Sequence, residues 1–278
     1  MKQYLDLLRK ICFDGEEKES RAVLQSTGTK PKTRSIFGYQ CRYDLREGFP
    51  IVTTKHVPFR QVAVELIWFL RGDTNISYLR GHGVKIWDQW ADCNGELGPI
   101  YGKKWRKWEG GYGEQVDQIA ELLKGIEEVK ADPTASASRR LIVTSWNPSD
   151  VKEFKGPSGC HTLCQFYVLN GRLSCHLYQR SADAFLGVPW NISCYALLTE
   201  LVAKVTKLEA YEFIHTFGDA HVYENHFEQV ADQMSREPKK LPRLIIEEPL
   251  DNLDRIFPSQ LRLLNYQHCP RLTGEVAV

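Results

Sequence analysis

With 278 residues, 42% of them apolar, the chain is long enough to bury a sizeable core. Its 36 basic and 35 acidic side chains leave a formal net charge of +1. That balance excludes nucleic-acid or membrane binding driven by a global field, so any anion site must be a local cluster, and no apolar run approaches the ~20 residues that cross a bilayer.

The opening MKQYLDLLRKICFDGEEK puts Tyr4, Leu7, Leu8 and Ile11 on one face of a helix. Acids interrupt it, and it lacks the unbroken apolar stretch of a secretory signal, so a cytoplasmic location is expected. Next, PFRQVAVELIWFLRGDTN has helical spacing through Val62, Leu66 and Phe69 and ends near Gly72. VDQIAELLKGIEEVKADP predicts a second helix, with Ile119, Leu122, Ile126 and Val129 inward and Pro133 beyond its end. RRLIVTSWNP reads as a strand. HTLCQFYVLNGRLSCHLYQRS reads as a hairpin, because Asn170-Gly171 accepts positive φ at both centres of a type I′ turn. NISCYALLTELVAKVTKL predicts a long, mostly apolar, buried helix. No repeat or linker divides the chain, so residues 1–278 read as one domain. Helices and strands mix without a βαβ rhythm, which indicates α+β, with helices packed on a largely antiparallel or mixed sheet.

The eight cysteines form no C-x-x-C pair, which weakens zinc and thioredoxin-like readings and leaves free thiols as the expectation. Cys160 differs from the rest by its place. It precedes the first hairpin strand, while Gln179, Arg180 and Ser181 end the second, and an antiparallel pair brings those ends together. A guanidinium beside a thiol favours the reactive thiolate. The competing reading of Cys160 is an inert buried spacer. His161 is badly placed as a direct base for its neighbour, since adjacent strand residues point to opposite faces. No G-x-C-x-G elbow appears, so a cysteine hydrolase is a poor fit. His221 and His226 have no third ligand and no zinc spacing, so no metal is expected.

The motifs EGFPIVTTK, ELIWFLRGDTN, IWDQWAD, GELGPIYGKKWR, SRRLIVTSWNP, CHTLCQFYV, LYQRSADAFLGVPWNISCYALL, FGDAHVYENH and LPRLII run in this order between MKQYLDLL and the terminal VAV. On these, the sequence resembles the thymidylate synthase family, the folate-dependent kind with a cysteine nucleophile. The resemblance implies an α+β domain with a mixed, largely antiparallel sheet covered by helices, one sheet face being packed in a homodimer. It implies one-carbon transfer from 5,10-methylenetetrahydrofolate, as cosubstrate, to C5 of dUMP, giving dTMP and dihydrofolate. A thiolate added at C6 makes C5 nucleophilic, which is covalent catalysis joined to acid–base steps.

Carried over by matching positions, the resemblance makes Cys160 the thiolate and Arg180 both its activator and a phosphate ligand. Gln179 and Ser181 join the nucleotide side, and Arg139 and Arg140 reach across the dimer to the partner's phosphate, where guanidinium forks suit the oxygens. Asn191 reads the base: its amide donates to O4 and accepts from N3–H of uracil, whereas an aspartate would suit cytosine. Its position before an apolar helix also suits an N-cap. Glu65, in an apolar helix, is a proton carrier whose pKa burial would raise, or else a surface charge. Tyr101 and His161 complete the proton and water network. His221 and Tyr223 match the pair on the ribose 3′-hydroxyl. Trp87, Trp90, Asp183 and Gly187 match folate-side positions, Lys55 meets the folate's glutamate tail, and Val278 closes over the ligands and excludes water.

Departures cluster near these positions. The family's R-T-G-T-G-T is not intact: Ser26 precedes T-G-T in a lengthened segment, and Arg21, Lys30, Lys32 and Arg34 stand as open candidates for the missing phosphate ligand. Pro157, Ser158 and Gly159 replace leucine-x-proline before the nucleophile. His56, Ala182, Ala184, Trp190 and Phe217 are further changes. The alternative outcome is a dUMP 5-hydroxymethylase, in which water replaces hydride in the last step and tetrahydrofolate is released. Water exclusion decides between them, and the presence of Trp87 and Val278 favours methylation. A catalytically dead nucleotide- or RNA-binding protein is disfavoured by Cys160, Tyr101, Arg180 and Asn191 occurring together.

Overall fold

The apolar stripe of the first helix is buried as a unit: Tyr4, Leu7, Leu8 and Ile11 are each 0% exposed. In the computed structural model, which describes residues 1–150 and 159–277, that helix is α1 (Lys2–Asp14). It is followed by β1 (Glu16–Lys18), β2 (Thr33–Asp44), α2 (Phe59–Leu70), α3 (Ser77–Gly81) and α4 (Tyr101–Arg106). A short pair, β3 (Trp108–Glu109) and β4 (Gln115–Val116), leads to α5 (Gln118–Ala131) and β5 (Ile142–Thr144). Then come β6 (His161–Leu169), β7 (Arg172–Asp183), α6 (Gly187–Thr206), β8 (Glu209–Tyr223), α7 (Phe227–Ser235), β9 (Arg243–Ile246) and β10 (Leu261–Leu264).

The main sheet has six strands in the order β1-β2-β8-β7-β6-β5. Every neighbouring pair in it is antiparallel except β7 and β8, which run parallel with α6 as the crossover. The fold is therefore α+β with a mixed, largely antiparallel sheet. Its helix-facing side chains (Cys41, Tyr43, Cys164, Phe166, Cys175, Leu177, Phe213) are buried against the helices. The alternate set on the other face, including Gln165, Ser174, His176, Ile214 and Thr216, stays partly open, and Tyr167 is 54% exposed. Each large apolar side chain buried on the helix side stabilises the fold by roughly 1.5–3 kcal/mol before chain entropy is subtracted.

The expected hairpin is β6–β7. Asn170 (φ 51°) and Gly171 (φ 73°) both take the left-handed conformation that a type I′ turn requires. α5 begins where Asp117 caps it by accepting the Ala120 N–H at 3.0 Å, and its Ile119, Leu122, Ile126 and Val129 face the core as expected. α2 stops at Leu70, just before Gly72 turns the chain at φ 69°. The strand read over RRLIVTSWNP is shorter in fact, because Arg139 ends a 3-10 turn (Ser136–Arg139) and only Ile142–Thr144 pairs. α6 starts at Gly187, earlier than the sequence suggests, and is buried along most of its length.

Candidate active site

The hairpin ends meet as the strand pairing requires. His161 lies opposite Gln179, and the Arg180 N–H donates to the Cys160 carbonyl at 2.9 Å. A bulge between His161 and Leu163 breaks the register there. Such an irregularity re-aims side chains at the end of a strand. It leaves Cys160 half-buried at the mouth while the His161 ring turns into the core, stacked on Tyr101 (centroids 4.9 Å apart) and edge-on to Tyr195.

Arg180 brings Nη2 to 4.0 Å from Cys160 Sγ, donates from Nε to the Gly159 carbonyl at 3.2 Å, and rests its guanidinium 5.0 Å from the Trp146 ring centre. Burial pushes the Cys160 thiol above its ordinary range; Arg180, then Arg21, pull it back. Of the basic residues left open for the amino-terminal anion ligand, Arg21 is thus the one whose charge acts on Cys160. Lys32 is paired with Glu17 and Glu19, and Arg34 donates to the Cys12 carbonyl at 2.7 Å and lies over Phe227.

The Tyr101 hydroxyl, delivered by the first residue of α4, accepts the N–H of Cys160 at 2.9 Å and of His161 at 3.3 Å. Burial raises its pKa, so it stays a phenol. The same burial lowers His161 to about 4, against a hydrogen bond to Asn191 that raises it, so this imidazole is neutral near pH 7.

Asn191 lies a turn inside α6, whose N-cap is Leu186, so the capping role considered for it is excluded. Its Oδ1 accepts from Gln179 Nε2 at 3.1 Å, and Gln179 Oε1 accepts from His215 Nε2 at 2.8 Å. Because Gln179 also donates to the Ser181 carbonyl at 3.0 Å, its amide can face only one way, and it orients the Asn191 amide in turn. Gly187 keeps this corner open: a Cβ there would sit 3.6 Å from Asn191 Oδ1 and 3.8 Å from the Asp183 Cβ.

Glu65 is a buried group, 5% exposed, and not a surface charge. Its two oxygens accept from Trp87 Nε1 at 2.7 Å and Trp190 Nε1 at 2.6 Å. Burial lifts its pKa to about 7, and the two indole hydrogen bonds oppose that rise.

On the far side, parallel pairing sets Asp183 beside His221 and Ser181 beside Asp219. His221 Nδ1 donates to Asp219 Oδ1 at 2.9 Å, which leaves Nε2 as an acceptor in the neutral ring, and the Tyr223 ring stands edge-on at 5.2 Å. Asp219 is held down to about 2 by that hydrogen bond and by Lys18. Asp183 Oδ1 accepts the N–H groups of Phe185 (2.9 Å) and Leu186 (3.1 Å), and Trp87 and Trp90 meet edge to face at 5.5 Å.

Of the other expected site residues, Lys55 lies by the Asp183 corner, and Arg139 and Arg140 lie apart from it. Lys55 is buried, with its ammonium against the Phe185 carbonyl and 3.8 Å from that ring's centre, and burial lowers it to about 8. Arg139 and Arg140 are exposed on and just after the 3-10 turn at the sheet edge, and Arg140 Nε donates to the Ser136 carbonyl at 3.0 Å. Val278, Pro157 and Ser158 fall outside the described residues. The tail before Val278 is docked: the Glu275 carbonyl accepts from His226 Nε2 at 2.9 Å, and the Glu275 carboxylate takes the Ser26 N–H at 2.8 Å. Three participants escaped the sequence reading of roles: Asp219, His215 and Trp190. Asp219 had a signal, since an acid two residues before His221 on a strand shares its face.

A family model described as Thymidylate synthase matches residues 2–278. The chain belongs to the thymidylate synthase family. The chemistry of that family is one-carbon transfer to dUMP with a folate cosubstrate, so the cluster around Cys160 is the active-site candidate of a thymidylate synthase-type enzyme. Among the described residues no cluster of His, Cys, Asp and Glu is arranged to hold a metal, and no helix is long and apolar enough to cross a membrane.

Proposed function

We propose that this chain methylates dUMP at C5 with 5,10-methylenetetrahydrofolate, giving dTMP and dihydrofolate, through a covalent bond between Cys160 and C6. The observation that carries the reading is the approach of Arg180 Nη2 to 4.0 Å from the Cys160 sulfur, with the charge of Arg21 favouring the same thiolate. A guanidinium beside a half-buried thiol suits a nucleotide phosphate and a thiolate together. Attack forms the S–C6 bond and moves the C5=C6 electron pair onto O4; C5 then acts as the nucleophile, and its proton leaves to a base. Asn191, its amide fixed by Gln179 and His215, supports reading of O4 and N3–H. Glu65, held near 7, is suited to exchanging a proton near neutral pH. Tyr101 and neutral His161 extend that network, and the Asp219-oriented His221 offers Nε2, with Tyr223, to a ribose hydroxyl.

Methylenetetrahydrofolate supplies the one-carbon unit and the hydride. The residues available to hold it fit the chemistry. Trp87 and Trp90 offer an aromatic wall, and Asp183 offers Oδ2, which makes no hydrogen bond among the described residues. Docking of Glu275 onto His226 and Ser26 favours exclusion of water, hence hydride rather than water in the last step. A homodimer accompanies this reading: the open sheet face carrying Tyr167 supplies its surface, and the exposed Arg139 and Arg140 supply the partner's phosphate ligands.

Mass spectrometry of the nucleotide product tests the assignment. A gain of a methyl group with dihydrofolate is expected; a hydroxymethyl group with tetrahydrofolate contradicts it and identifies a hydroxymethylase.

A further inference from the structure

Trp190 enters the site from the first turn of α6, and Trp87 enters from the segment before a 3-10 turn (Asp88–Trp90). Between them lies the Glu65 carboxylate, one indole N–H on each oxygen, at 2.7 Å for Trp87 and 2.6 Å for Trp190. We propose that Trp190 is a positioning residue for Glu65: by holding the second carboxylate oxygen it fixes the plane of the group and keeps it ionised for proton exchange at the pyrimidine. This rests on the reading that Glu65 serves such a step.

The argument begins with geometry. A carboxylate held by a single donor can pivot about its Cγ–Cδ bond. Two donors from different elements, one on each oxygen, remove that freedom. A carboxylate has about four acceptor sites, so the indoles leave a lone pair on each oxygen for water or substrate. An indole N–H donates and never accepts, so neither tryptophan can store the proton. When Glu65 takes up a proton, one of the two indole bonds loses its full acceptor, so both bonds favour the charged form.

The surroundings leave that task to the indoles. Among the described residues, titratable groups facing Glu65 from neighbouring elements are Tyr101 on α4 and Cys194 on α6, and both feel its charge. Burial keeps each of them protonated and uncharged. Burial opposes ionisation of Glu65, and the two indole hydrogen bonds are what counter it. A phenylalanine at 190 would fill similar space without an N–H. Trp190 is half-buried, so filling space alone would not call for its N–H to point at an acid.

The test compares the wild type with Trp190→Phe in two measurements. The first is direct titration of the Glu65 carboxyl by infrared difference against Glu65→Gln, which needs no turnover. Losing a hydrogen bond to a charged group is expected to raise the titration midpoint by about one pH unit, a tenfold change in the equilibrium. The second is the pH dependence of kcat for tritium release from 5-tritiated dUMP with methylenetetrahydrofolate. Its acidic limb is expected to move up by the same amount while KM for dUMP changes less than about twofold. Should Trp190→Phe fold poorly, benzothienylalanine at 190 keeps the ring shape with sulfur in place of N–H, and the same shifts are expected. An unmoved or lowered midpoint overturns the role of Trp190. So do identical pH profiles in a wild type that releases tritium. A wild type that releases none overturns the functional reading on which the role rests, whatever the titration gives.

Discussion

Arg180 closes on Cys160 twice, through its backbone N–H on the Cys160 carbonyl at 2.9 Å and through Nη2 at 4.0 Å from the sulfur. The first contact is strand pairing and the second is electrostatic, so the fold itself delivers the charge to the thiol. Burial still outweighs that charge and leaves the thiol above its ordinary range. Alkylation of Cys160 by iodoacetamide, followed on its peptide by mass spectrometry, should therefore rise only at pH above that of an unstructured cysteine peptide. Arg180→Ala should move the curve a further unit or so upward, about one pH unit, and Arg21→Ala by less. A Cys160 that reacts at lower pH than that peptide contradicts this balance.

Glu65 makes the site's charge visible as stability. Its carboxyl titrates near 7 in the folded chain against an ordinary 4.5. Below 4.5 both states are protonated and nothing is lost. Between 4.5 and 7 the unfolded chain has released the proton while the folded chain retains it, so stability falls as pH rises. The loss is complete above about pH 8 and amounts to roughly 3 kcal/mol. Urea unfolding of wild type and Glu65→Gln from pH 4 to 8 should show the variant gaining on the wild type by about that amount. Glu200, lifted to about 7 by burial alone, cancels in the difference. A stability difference independent of pH would contradict the burial of this charge.

Much of this arrangement is legible in the sequence where the signal is local. The i, i+3, i+4 spacing of Tyr4, Leu7, Leu8 and Ile11 marks a buried face, and Asn170-Gly171 marks the turn that returns Arg180 to Cys160. What depends on distant partners is not legible. The parallel pairing of β7 with β8 sets Asp183 beside His221, yet those residues are far apart in the chain. Asn191 looks like an N-cap because helix starts are read from nearby residues, while α6 actually begins at Gly187. Trp190 stands out in the sequence only as an unusual neighbour of Asn191; its purpose needs the position of Glu65 on another helix.

Gly274 fixes how closely the tail can lie. A Cβ at that position would fall 2.5 Å from His226 Nε2, the atom that holds the Glu275 carbonyl. Gly274→Ala should therefore lift the tail while leaving the core intact. Carboxypeptidase should release the terminal residues several-fold faster, by about tenfold or less, with the unfolding midpoint nearly unchanged. Equal digestion rates would contradict a docked tail.

The open sheet face predicts assembly. Light scattering should give about twice the 32.0 kDa chain mass, and Tyr167→Glu, which puts a charge on that face, should return the mass to a single chain. A wild-type monomer with full activity contradicts the proposed dimer.

The most direct test is the intact mass of the protein after incubation with 5-fluoro-dUMP and methylenetetrahydrofolate, followed by peptide mapping. The account predicts a stable adduct carrying both ligands, located on Cys160 and absent from Cys160→Ala. An unmodified wild-type mass, or an adduct on any other residue, would contradict it.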